Sequence, residues 1–185
     1  MARGEDHALA VVGDRLATGL TDVTDDLAAL ESEGFWAVVV PFDGTPICAR
    51  FANVRPATPW PGPPWPGLDD ATWHSSLDRV GYEAGVVAIR EAIAAGDVYQ
   101  VNLTRRLSTR LPDHPHIDVA ALGAALATGN PAPYSAVVRL PDHGVHVASA
   151  SPERFLRRDG DRVRSSPIKG TAPTESRLTD KDRAE

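Results

Sequence analysis

Cysteine is nearly missing from this chain: Cys48 is the single one among 185 residues. A lone thiol excludes an internal disulfide framework and suits a reducing compartment. Its setting, Pro46-Ile47-Cys48-Ala49, is apolar, so it reads as a small buried hydrophobe rather than a reactive nucleophile. No apolar run approaches the roughly 20 residues of a membrane-spanning helix, and the acidic N-terminal residues lack the pattern of a signal peptide. Together these absences predict a cytoplasmic protein. A net charge of −6, with no Lys/Arg cluster along the sequence, argues against a binder of phosphate backbones. The six histidines are scattered without metal-ligand spacing, and no internal repeat or low-complexity tract occurs. What is present is ordinary globular material, 42% hydrophobic and 24% charged, long enough for one domain or a domain and a fragment.

The order of local signals predicts hairpins mixed with helices. His7 to Val12, Gly13-Asp14 and Arg15 to Ala17 read as a hairpin. Thr24, followed by Asp25, Asp26, Leu27 and Leu30 and ended by Gly34, reads as a capped helix. Phe35 to Val40 is a continuous apolar run suited to a buried strand, and Asp43-Gly44 turns it into a strand from Ile47 to Phe51. The Pro-rich stretch Pro56 to Pro66, which includes Trp60 and Trp65, lacks backbone donors and reads as a linker or loop. Tyr82, Val86, Ile89 and Ile93 form one stripe of an amphipathic helix, and Gly96 is its natural stop. Val98 to Thr104 reads as a strand with Gln100 and Asn102 on one face, which would line a polar cavity or a solvated surface. Asp118 to Leu126 reads as a short helix. Tyr134 to Leu140 and Val145 to Ala150 read as an antiparallel pair joined across Pro141 to Gly144. The mixture indicates an α+β fold rather than a repeating βαβ chain.

Two residues then stand out. Glu153 and Lys169 flank a strong turn signal, Asp159-Gly160-Asp161, set between Arg154-Phe155-Leu156-Arg157 and Arg162-Val163-Arg164-Ser165. A hairpin there would bring its two open ends together, and an amine beside a carboxylic acid could serve as nucleophile and general acid. On spacing alone, exposed charges that never meet are the commoner outcome for such a pair.

The motif Pro167-Ile168-Lys169-Gly170-Thr171, with Ser151-Pro152-Glu153 and Gly96-Asp97-Val98-Tyr99-Gln100-Val101-Asn102-Leu103 before it and Lys181-Asp182-Arg183-Ala184-Glu185 after it, resembles the chorismate-utilising enzyme family. The four matches run in family order over roughly residues 77 to 185, and within the family they resemble the component I synthases that make aminodeoxychorismate. The resemblance implies a partial chorismate-binding fold, antiparallel sheets flanked by helices. Residues 1–66 would be a variable N-terminal part ending in the Pro-rich loop, and 67–185 the N-terminal portion of the catalytic domain. It implies a chain that stops about midway through the family pattern and is inactive alone.

The resemblance also implies roles. Lys169 would attack chorismate at C2 and must be neutral to do so, while Glu153 would act as general acid and must be protonated, each through a shifted pKa. Gly170 and Thr171 would hold a substrate carboxylate, Glu185 would be one ligand of Mg2+, and Asp182 lies one helical turn earlier. A separate glutamine amidotransferase subunit would supply ammonia. At Gln100 the water-adding relatives carry a lysine base, so isochorismate and salicylate synthesis are disfavoured. Anthranilate synthase resembles the chain at Gln100 and Glu153 but typically has alanine in place of Lys169. The strand around Asn102 also resembles a region that lines a tryptophan pocket in some relatives. One departure is Gly170-Thr171-Ala172-Pro173, with Thr174 where an arginine is frequent.

Overall fold

The computed structural model describes residues 8–57, 64–68, 73–111 and 117–168. They fall into two compact units, one built from residues up to 65 together with those from 118 onward, the other from 66–117.

The first unit is organised by a curled antiparallel sheet. β1 (Leu9–Val12) and β2 (Arg15–Thr24) form the expected hairpin about Gly13, whose φ of 60° is the left-handed conformation that such a two-residue turn needs. With β3 (Phe35–Val39), β4 (Ile47–Pro56), β7 (Tyr134–Leu140) and β8 (Val145–Ser151) they make six strands in the order β3-β4-β2-β1-β7-β8. Adjacent residues alternate between its two faces, as strand geometry requires. Ala10, Ala17 and Val138 belong to a core with Ala49, Phe51, Leu140 and Val145. Their neighbours Val11, Leu16 and Val137 belong to a second core with Ala57 and Val119. Val119 opens α2 (Val119–Gly129), which packs on β7 and β8. Asp118 caps this helix, accepting from the Ala120 N–H at 2.6 Å, and holds Arg139 of β7 at 2.5 Å. α2 sits so close to the sheet that a Cβ at Gly123 would run into Val137 Cγ2.

Two expectations change in this unit. The predicted helix after Thr24 is a 3-10 turn, Leu27–Glu31, capped by Asp26, whose carboxylate accepts from the Ala28 N–H at 2.9 Å. Thr24 is instead the last residue of β2, its hydroxyl accepting from the Asp26 N–H. Five residues form too few i→i+4 bonds to offset helix nucleation. The apolar run from Phe35 makes an edge strand, so in β3 only Ala37 is buried. The Arg50 guanidinium lies over Trp36 there, 5.9 Å from the ring centre.

The second unit holds α1 (Arg79–Ala95). Asp78 caps it, accepting from the Gly81 N–H at 2.7 Å, and Gly96 ends it with φ 85°. Gly85 lets Leu103 lie against the helix, since a Cβ there would come within 3.0 Å of Leu103 Cδ2. The strand expected over Val98 to Thr104 does not form. A strand needs a ladder partner, and in this stretch only β6 (Leu107–Ser108) finds one, the equally short β5 (His74–Ser75). Residues 98–106 are irregular.

After β8 the first unit continues into β9 (Arg154–Asp159) and β10 (Arg162–Ser166), joined by Asp159-Gly160-Asp161 with Gly160 at φ 59°. This is the hairpin that the turn signal predicts. The fold is α+β, and no helix among the described residues is long and apolar enough to cross a membrane.

Candidate active site

Glu153 sits at the corner between β8 and β9. β8 ends on Ser151, and Pro152, which cannot donate to a ladder, marks the break. The corner is held locally: the Ser151 hydroxyl donates to the Glu153 carbonyl at 2.9 Å, and the Glu153 N–H reaches back to Ser151 Oγ at 3.4 Å. Behind it the Arg154 guanidinium stacks over the Tyr134 ring, 4.8 Å from its centre. Tyr134 itself pairs with Ser151 in the β7–β8 ladder. Backbone and stacking thus fix where Glu153 leaves the sheet, while the residue itself is exposed.

The register of the hairpin decides what can come near. Arg154 pairs with Ser166, after an irregularity between Arg164 and Ser166. Glu153 therefore lies one residue beyond the last ladder pair, on the same side as Pro167 and Ile168. The open ends do come together, and the segment entering the Pro-Ile-Lys-Gly-Thr motif is one of them. Lys169, Gly170, Thr171, Asp182 and Glu185 lie outside the described residues. The water exclusion that a neutral Glu153 requires is not supplied by the described residues around it.

Gln100 belongs to the other unit and is exposed. Because its segment is irregular, the division into an amide face and an apolar face does not hold: Tyr99 is 92% exposed, and Val101 and Asn102 are exposed as well. Only Leu103 turns inward. For Mg2+, the described residues contain no group of three His, Cys, Asp or Glu side chains able to hold a metal ion.

Sequence reasoning missed three features of this unit. The Arg154–Tyr134 stack and the Asp118–Arg139 pair join residues about 20 apart and become visible only with strand register. The hairpin also gathers arginines that a linear scan for clusters passes over, because a turn divides them. Cys48 is fully buried, as its apolar setting suggests. Burial pushes its thiol pKa up, with Asp26 and Asp25 adding to the effect.

Residues 54–185 match the family described as chorismate binding enzyme. Anthranilate synthase component 1 1 of Haloarcula marismortui is 44% identical over 105 residues, covering 57% of this chain and 20% of that protein. Aminodeoxychorismate synthase of Streptomyces pristinaespiralis is 43% identical over 105 residues, 56% of this chain and 14% of that protein. Aminodeoxychorismate synthase component 1 of Escherichia coli is 36% identical over 101 residues, 55% of this chain and 21% of that protein. The chain spans about a fifth of the length of the curated relatives it matches. No solved structure matches it.

Proposed function

The chain belongs to the chorismate binding enzyme family, and on that premise we propose that it carries the acid-and-amine part of a synthase that makes 4-amino-4-deoxychorismate, toward p-aminobenzoate and folate. The observation that supports this product is Lys169 within Pro167-Ile168-Lys169-Gly170-Thr171. In the proposed reaction the neutral Lys169 amine adds at C2, the ring double bonds shift, and the C4–O bond breaks. Glu153 gives its proton to the departing hydroxyl, which leaves as water. Ammonia then adds at C4 and Lys169 is released. Gly170 and Thr171 hold a substrate carboxylate, and Gln100 has no basic group with which to activate water. Glu185 is proposed as one carboxylate ligand of Mg2+. Ammonia comes from a glutamine amidotransferase subunit, and the setting is cytoplasmic. The 185 residues alone are proposed to be inactive.

A second reading, anthranilate synthesis, is favoured by one observation: relatives bearing that name reach 44% identity. The two part at Lys169, since direct amination at C2 needs no amine nucleophile from the protein. The deciding experiment grafts residues 54–185 in place of the matching segment of the Escherichia coli relative. The chimera is supplied with chorismate, ammonium and Mg2+, and its products are separated chromatographically. Aminodeoxychorismate is expected, with Glu153→Gln abolishing turnover and Lys169→Ala crippling amination at C4 or redirecting it to C2. Anthranilate from the unmodified chimera, or full activity in both variants, overturns the reading. Turnover by the isolated chain would overturn its proposed inactivity.

A further inference from the structure

We infer that the β9–β10 hairpin is a docking surface for the acidic end of a second copy of this chain. The hairpin carries Arg154, Arg157, Arg158, Arg162 and Arg164 against only Asp159 and Asp161, in a protein whose net charge is −6. Its register sets Arg157 opposite Arg164 and Arg162 opposite Asp159, so these four side chains share a face with Phe155. Phe155 is 88% exposed. Among the described residues the hairpin's arginines make one ion pair, Arg157 with Asp159 at 3.5 Å.

The complement is on the same molecule. Residues 16–49 hold Asp22, Asp25, Asp26, Glu31, Glu33 and Asp43, and no Lys or Arg. All six acids are exposed, and Phe42 stands fully exposed beside Asp43. Each pole therefore sets an exposed aromatic, Phe155 or Phe42, near charges mostly of one sign; the exceptions are Asp159 and Asp161 on the hairpin and Arg50, which pairs with Asp22 across β2 and β4, at the acidic end. The two poles do not neutralise each other within one chain. Asp25 lines a cleft with His143, in the turn that enters β8, whereas the hairpin follows the other end of β8. Seven residues of strand separate these ends by roughly 20 Å. A second copy brings the complement at equal concentration, and a two-fold arrangement makes the contact twice. The overall negative charge disfavours a polyanion as the occupant.

Sedimentation of the 185-residue chain over a concentration series, at 20 mM and 500 mM NaCl, tests this. At low salt the average mass is expected to rise with concentration, and at high salt to return to the 19.7 kDa monomer. The hairpin variant R157E/R162E/R164E and the acidic-end variant D22K/D25K/D43K are each expected to associate at least tenfold more weakly. Mixed together, they are expected to associate again, a recovery that misfolded variants would not give. A monomer at every concentration, self-association unaffected by salt, or a mixture that stays monomeric overturns the inference. So does a wild-type chain that binds single-stranded DNA at 150 mM salt without associating with itself.

Discussion

Asp118 does two jobs at one point, and they can be separated by substitution. Its Oδ1 caps α2 through the Ala120 N–H, and its Oδ2 holds Arg139 of β7, tying the helix to the strand on which it packs. Asn preserves the capping oxygen but removes the charge; Ala removes both. A helix N-cap contributes about 1 kcal/mol. Hydrogen bonds to charged groups contribute about 1.5–3 kcal/mol when shielded. Here the side chains are 15% and 29% exposed, so solvent screening lowers that to about 1–2 kcal/mol. Asp118→Asn is therefore expected to cost about 1–2 kcal/mol and Asp118→Ala about 2–3 kcal/mol. With a urea slope of about 2 kcal/mol per molar, the denaturation midpoint falls by roughly 0.5–1 M for Asn and 1–1.5 M for Ala. A double-mutant cycle with Arg139→Met should return a coupling of about 1 kcal/mol or more. Equal midpoints for Asp118→Asn and wild type, with no coupling in the cycle, would refute the idea that this pair anchors α2.

The same helix gives a second prediction: Gly123→Ala should destabilise by about 1–2 kcal/mol, because overpacking against Val137 outweighs the gain of about 1 kcal/mol in helix propensity, and Val137→Ala should recover the loss. Cys48 should resist iodoacetamide in the native protein and react readily in urea. Its raised folded pKa means that the stability linked to the thiol is present in full below the unfolded value of about 8.5 and is lost as pH rises through the folded value. The urea midpoint should thus drop in alkaline solution, and Cys48→Ala should flatten that drop. For the grafted chimera, chelation with EDTA should abolish turnover and added Mg2+ should restore it, with Glu185→Ala raising the Mg2+ concentration required; activity that survives EDTA refutes the assignment of Glu185.

Legibility in the sequence followed the range of the interaction. Asp159-Gly160-Asp161 and Gly13-Asp14 are turn signals complete within a few residues, and both hairpins form where they indicate. The stripe of Tyr82, Val86, Ile89 and Ile93, with its Gly96 stop, is likewise local, and α1 follows it. The stretch Val98 to Thr104 has strand-like alternation too, but alternation describes faces and supplies no partner; β5 meets the chain later, at Leu107. The run from Phe35 is as apolar as a central strand, yet strand order makes it an edge, and order is a property of the whole sheet. The helix expected after Thr24 had a start and a stop but too little length between them.

The candidate site divides along the same line. Where Glu153 leaves the sheet is settled by Ser151, Pro152 and the Arg154–Tyr134 stack, within one strand pair of the residue itself. What a general acid further needs is displacement of water around its carboxyl group, and that depends on chain brought over it from elsewhere. The hairpin supplies a direction and a neighbour: Ser166 lies opposite Arg154, so the Pro167-Ile168 segment runs out beside Glu153. On the face opposite Phe155, Leu156 and Val163 stay exposed among the described residues. A two-stranded ribbon with apolar side chains uncovered is marginal by itself. Covering it would stabilise the ribbon and dry the corner where Glu153 stands in a single event. Protection of the β9 and β10 amides from hydrogen exchange should therefore rise together with C4 amination when the fragment is placed in the chimera. Amination without such protection would mean that an exposed carboxyl can do the acid's work, and the link between burial and catalysis at this corner would be broken.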